Sequence, residues 1–325
     1  MDAIGTMFDY LLEKISAAKM VKDPFTHVEI ANFLTKEHFE AIVHDRQICL
    51  DSCSETEGLL DSLTERGYQI IPFPGCVTSK RQYLDWFRGA SEKSVHAATE
   101  GFGLVCRLVR CDSLILRELD DFFVSDRLKE LLVEKFGIHE EVQVDSGIQK
   151  YLHGYEISPH PDIRRKAVTW MLNLNPGDGS EGMDFHTHYM TFKDQWGFVG
   201  EFWRYNQDVE RCWLPWDWCT TVKQQTRNNS IVLFRPADDT LHAVKASYDH
   251  LKIQRTQAYG NLWYRPAGLK SVEFAAFDLK NAHRADVRSA DWRSVLKRAV
   301  YRRLESSPLS RLGNYQGSRR RRTGG

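Results

Sequence analysis

A first half patterned for amphipathic helices, a second half of short β-type runs divided by turn residues, and no alternation of strand with helix between them predict an α+β chain. Its core is expected to be an antiparallel sandwich or jelly roll, supported by N-terminal helices. The pattern divides the 325 residues into a mainly helical support (1–140), a β core (141–270) carrying an insertion at 194–229, and a C-terminal extension with a basic tail (271–325).

Among the helices, 125–137 has the clearest signal. Leu128, Leu131, Leu132 and Phe136 recur at helical spacing, Ser125 or Asp126 can cap the start, and Gly137 suits a left-handed stop. Shorter amphipathic patterns predict helices over 7–15 and 36–43, with a weaker pattern over 82–88. From residue 142 onward, β-type runs cover 142–144, 147–152, 167–174, 230–235, 241–245 and 255–264. The connection 194–229 is long and holds five of the nine tryptophans, so a lid or pocket wall is expected there, with packing outside the barrel or a dimer contact as alternatives.

A formal net charge of zero gives no global field towards nucleic acid or membrane, and neither is expected as a partner. No run reaches the roughly 18 apolar residues of a membrane span. Seven cysteines without a CxxC pair, together with an N-terminus that carries Asp2, Asp9 and Glu13 and lacks a signal peptide's apolar core, predict a reducing, cytoplasmic setting. Between residues 281 and 325, 12 Lys or Arg face 3 Asp or Glu. A solvated terminus is the expectation, and a polyanion-binding tail the sharper alternative.

The chemistry concentrates in 149–176, QKYLHGYEISPHPDIRRKAVTWMLNLNP. His160 and Asp162 are two residues apart, so in extended chain they point to one face and can reach one metal. Pro159 and Pro161 flank them and suit the end of a strand. A third ligand should come from a strand distant in sequence, and His242 lies on such a run. Two His and one carboxylate leave three positions open, an arrangement associated with iron(II) oxygenases. A dicarboxylate chelating the metal through one end would bring a second carboxylate deep into the barrel, where Arg255, 13 residues after His242, is the matching partner.

The order HxD, distal His, then Arg resembles the 2-oxoglutarate/Fe(II) dioxygenase superfamily, and the flanking residues resemble its prolyl-4-hydroxylase-like branch. Carrying the resemblance are 23–34 (DPFTHVEIANFL), 149–162 with Tyr151 facing the metal pocket, 173–176 (NLNP) and 181–185 (EGMDF), the last similar to a glycine-containing strand. The resemblance spans 23–34 and 142–264 and implies a double-stranded β-helix core binding Fe(II), 2-oxoglutarate and O2, with ascorbate as a reductant. It also implies release of succinate and CO2. Asn173 stands where the family often has a Tyr that bonds 2-oxoglutarate, and Gln257 where a Ser or Thr follows the Arg; both keep a hydrogen-bonding group. Halogenating members replace the carboxylate, so Asp162 implies hydroxylation or a related oxidation.

A small-molecule substrate is expected, the lid-like insertion enclosing it. Alternatives are a prolyl hydroxylase acting on a protein and a non-enzymatic, cupin-like metal binder using His186 and His188, whose HxH spacing also suits a metal. Those two histidines could instead line the substrate pocket. Arg164, Arg165 and Lys166 read first as solvated loop charges and second as a site for an acidic group on the substrate.

Overall fold

The structure, a computed structural model, describes residues 7–73, 76–89, 103–207, 209 and 212–265. Its helices are α1 (Tyr10–Ala17), α2 (Lys36–Val43), α3 (Thr56–Glu65), α4 (Lys80–Phe87), α5 (Leu114–Val124), α6 (Asp126–Lys135) and α7 (Gly197–Tyr205). Side-chain caps start four of them, with Thr35, Ser79, Ser113 and Ser125 each accepting the amide of the residue three positions on. Gly137, at φ 61°, gives α6 its left-handed stop. Sequence periodicity located α2, α4 and α6 well and placed α1 slightly early, while α3 and α5 escaped it. On α5, Leu116, Leu119, Phe122 and Phe123 are buried. Burying each contributes roughly 1.5–3 kcal/mol, so docking more than intrinsic propensity holds this short helix.

The strands are β1 (Val28–Ala31), β2 (Tyr68–Ile70), β3 (Val105–Leu108), β4 (Val142–Tyr151), β5 (Glu156–His160), β6 (Lys166–Asn173), β7 (Thr187–Phe192), β8 (Cys219–Gln225), β9 (Ser230–Phe234), β10 (His242–Lys245) and β11 (Arg255–Tyr264). They form a seven-stranded sheet, β1-β9-β6-β11-β4-β3-β2, and a four-stranded sheet, β5-β10-β7-β8. Every strand pairing in both is antiparallel.

Alternation across the large sheet explains how its centre positions a site. On one face Val168, Trp170 and Leu172 of β6, Ile231 and Leu233 of β9, and Ala258 and Leu262 of β11 join the helices in the main core. On the other, Met171, Val232, Phe234 and Tyr259 pack with Phe25 and with Tyr189 of β7, closing the two sheets together. Gly260 must be glycine because a Cβ there would lie 2.3 Å from the Trp170 ring. Phe25, from the 23–34 segment, meets Phe234 and Tyr189 edge to face.

Three sequence expectations change. The runs 142–144 and 147–152 are one continuous strand, β4, because Asp145 is held by Arg107 and does not break the ladder. Residues 181–185 do not form a strand: Ser180–Gly182 is a 3₁₀ turn and β7 starts at Thr187. The insertion is shorter than 194–229, since β8 pairs with β7 as part of the small sheet. Among the described residues no helix is long and apolar enough to cross a membrane. The basic run of the C-terminal extension lies outside them.

Candidate metal centre and cavity

The antiparallel pairing of β5 with β10 sets His160 directly opposite His242. Their rings face each other with centroids 4.3 Å apart. Asp162 follows Pro161 with φ 76°, a left-handed conformation uncommon for a non-glycine residue. Such strain concentrates at functional sites. Ligand atoms of His160, Asp162 and His242 all lie within 4.8 Å of one another, and all three residues are buried.

Each imidazole is oriented the same way. Nδ1 of His160 lies 2.8 Å from the Ser158 carbonyl and Nδ1 of His242 2.9 Å from the Thr240 carbonyl. A carbonyl only accepts, so Nδ1 carries the hydrogen and Nε2 presents its lone pair to the site. Burial, reinforced by the neighbouring His242, pushes His160 down to about 3. Burial likewise lowers His242. For Asp162, burial alone would raise the carboxyl, but Lys166 and the two histidines hold it below the usual carboxylate range. Two neutral nitrogen donors and one carboxylate are a donor set that suits a divalent metal ion.

The triad lines a cavity of about 420 Å³ together with Arg255, Tyr151, Gln257 and Thr187. On β11, Arg255, Gln257, Tyr259, Asn261 and Trp263 all face it, as period-two alternation requires. Arg255 is 2% exposed. Its Nη2 donates to Thr187 Oγ1 at 3.1 Å, and its guanidinium lies 4.4 Å over the Tyr151 ring, which adjoins it across the β4–β11 ladder. Nη1 is buried without a hydrogen-bond partner. Burial lowers the Arg255 pKa, and among the described residues no carboxylate pairs with this cation. A buried guanidinium with one free N–H group, lining the same cavity as the triad, suits an anionic group of a ligand.

Other predicted residues fall elsewhere. Asn173 bridges structure: its Nδ2 donates to the carbonyls of Gln225 and Arg227 and its Oδ1 accepts from Gln257 Nε2 at 2.8 Å. Only Gln257 of this pair reaches the cavity. His186 bonds the Glu181 carbonyl, and His188 bonds Thr221 Oγ1 on the neighbouring strand. Neither histidine is among the cavity-lining residues, nor do they form part of the three-residue cluster. Arg164 is engaged by the insertion: it stacks on Trp203 at 3.8 Å and donates to the carbonyls of Val209 and Trp203. The insertion itself contributes Cys212 and Trp213 to the cavity wall.

Lys166 corrects the reading of a solvated loop charge. Its Nζ lies 2.5 Å from Asp162 Oδ1 and donates to Tyr259 Oη at 2.8 Å. Thr169 Oγ1 donates to Asp162 Oδ2 at 2.8 Å. The spacing of Lys166 and Thr169 from Asp162 carried no sign of this. Tyr259 and Asn261, by contrast, could have been found by counting alternate positions from Arg255.

No family model matches the chain and no curated protein does. Its fold is similar to solved structures of 2-oxoglutarate-dependent oxygenases. One is a Pseudomonas putida prolyl-4-hydroxylase, 11% identical over 80% of this chain and 100% of that one, TM-score 0.40. Another is SnoK, a non-haem carbocyclase of nogalamycin biosynthesis, 10% identical over 88% and 94%, TM-score 0.36. HygX of Streptomyces hygroscopicus, solved with nickel, 2-oxoglutarate and hygromycin B, is 10% identical over 67% and 90%, TM-score 0.29. The functional reading therefore stands on the geometry of this chain.

Proposed function

We propose that this chain is an enzyme, a non-haem Fe(II)- and 2-oxoglutarate-dependent oxygenase that oxidises a C–H bond of a small molecule, hydroxylation being the simplest outcome. The observation that carries the reading is the convergence, in one cavity, of two histidines and a carboxylate with a buried guanidinium whose Nη1 has no hydrogen-bond partner. The two antiparallel sheets around it are read as a double-stranded β-helix. When bound, iron(II) with 2-oxoglutarate and O2 supplies the oxidising chemistry, yielding succinate and CO2, with ascorbate as an auxiliary reductant.

This chain's residues bind, orient and shield. Nε2 of His160, Nε2 of His242 and a carboxylate oxygen of Asp162 would hold the metal at the cavity. Arg255, steadied by Thr187 and the Tyr151 ring, receives the distal carboxylate of 2-oxoglutarate, and Gln257 lies next along the same strand face. Phe73, Tyr155 and Trp213 give the cavity an apolar wall. Trp213, buried in a cluster with Tyr151 and Tyr155, walls the cavity and favours an enclosed small molecule over an extended peptide. All seven cysteines are free, which suits a reducing compartment.

The test is succinate formation from 2-oxoglutarate by the full-length protein with Fe(II), ascorbate and a set of small organic acids, amines and sugars. Iron-dependent succinate that disappears in His242→Ala supports the proposal; none under any of these conditions contradicts it.

A further inference from the structure

Asp162 is 3% exposed at an apolar-walled cavity, where an unpaired carboxylate would be costly. Its partners in the triad donate no hydrogen bond to it. Both imidazole N–H groups are donated to backbone carbonyls, so each ring turns a lone pair, not a hydrogen, towards the carboxylate. Relief comes from Lys166, whose side chain is 10% exposed and whose ammonium lies 2.5 Å from Oδ1. That ammonium is itself anchored by Tyr259 Oη at 2.8 Å and flanked by the rings of Tyr259 and Trp263. Lys166 opens β6, paired with β11, so the sheet and not the ligand-bearing loop fixes its place. With Oδ1 captured by Lys166, Oδ2 bonds Thr169 and turns towards His242 Nε2 at 3.9 Å.

We infer that Lys166 is the resident counter-ion of the metal site: it compensates and orients Asp162 while no metal is bound, standing in for the cation. The inference rests on the metal-centre reading above and adds a positioning residue to it. Two consequences follow from charge. The metal-free protein keeps Asp162 charged and poised without paying for an isolated buried anion. An arriving divalent ion must share that carboxylate with an ammonium, so Coulomb repulsion offsets part of its binding.

The experiment compares melting of full-length wild type, Lys166→Met and Lys166→Arg, each with chelator and with saturating Mn(II), alongside Co(II) absorption spectra. Metal-free Lys166→Met should melt several degrees below wild type, and Mn(II) should raise its Tm by more than it raises the wild type's. Lys166→Arg should track wild type in both states. The Co(II) bands should shift in Lys166→Met, because Oδ1 is released to the metal, and a loss of packing alone would leave them in place. If Lys166→Met folds only when Mn(II) is present, the inference is supported; if it does not fold at all, Lys166→Gln is measured against the same criteria. Equal Mn(II) increments in wild type and the neutral variant would overturn the counter-ion role while leaving the metal centre intact. Absence of Mn(II) uptake by wild type would overturn both.

Discussion

Replacing Arg255 by Met separates stability from ligand binding. In the ligand-free protein the guanidinium is 2% exposed, with one bond to Thr187, one ring beneath it and an unpartnered Nη1. Methionine removes the Thr187 bond, about 1 kcal/mol, and the ring contact, about 1–2 kcal/mol. It also removes a buried cation whose desolvation costs several kcal/mol. The ligand-free variant should therefore melt no lower than wild type. Binding moves the other way. A carboxylate held by two charge-assisted hydrogen bonds gains about 1.5–3 kcal/mol from each, so the variant should lose roughly 3–6 kcal/mol, on the order of 100- to 20,000-fold in Kd for 2-oxoglutarate. Calorimetric titration of Mn(II)-loaded protein with 2-oxoglutarate, set beside ligand-free melting curves, measures both. A variant that is clearly destabilised yet binds 2-oxoglutarate as wild type does would refute the reasoning.

Three further outcomes are expected. Gly260→Ala forces a Cβ into the Trp170 ring, an overpacking cost of typically 1–3 kcal/mol, so thermal melting should drop by several degrees and Trp170→Phe should restore part of the loss; an unchanged Tm would show that the ladder yields without cost. Burial pushes Lys150 down to about 7, with Nζ donating to the Ile48 carbonyl and Thr256 Oγ1. Between pH 7 and about 10.5 the unfolded chain then holds a proton the folded chain has released, so this residue adds stability as pH rises, by up to about 1.4 kcal/mol per pH unit. Denaturant titrations should show the stability of wild type relative to Lys150→Met climbing across that window, and a flat difference would count against it. Finally, Ala at His186 or His188 should leave Mn(II) binding within a few-fold, whereas Ala at His160 should abolish it; the reverse pattern would favour a cupin-like site.

The site was legible where chemistry imposes a short-range pattern. His160 and Asp162 lie two apart, although Asp162 reaches the site through a left-handed turn past the end of β5 and not by strand alternation; His242 lies on a predicted strand, Arg255 opens the one after it, and all four line one cavity. What stayed hidden depends on pairings that the sequence does not spell out. Lys166 looks like one more charge in the run 164–166 until the β6–β11 pairing sets it beside Tyr259 and Asp162. Asn173 has the right chemistry for a ligand contact, but Gln225, Arg227 and Gln257 use its amide first. Helix α5 carries a clear apolar face, yet the three acidic residues within it, Glu118, Asp120 and Asp121, masked the period, and β8 was absorbed into the insertion because its middle faces solvent.

In the proposed function His160, Asp162 and His242 hold one ferrous ion to which 2-oxoglutarate binds beside Arg255. Anaerobic titration of the full-length protein with Fe(II) and then 2-oxoglutarate, watched by visible absorption, tests it most directly. One iron per chain is expected, with a weak metal-to-ligand charge-transfer band that saturates with 2-oxoglutarate and vanishes in His160→Ala. Iron that binds equally well to His160→Ala, or a titration in which no band develops, would contradict it.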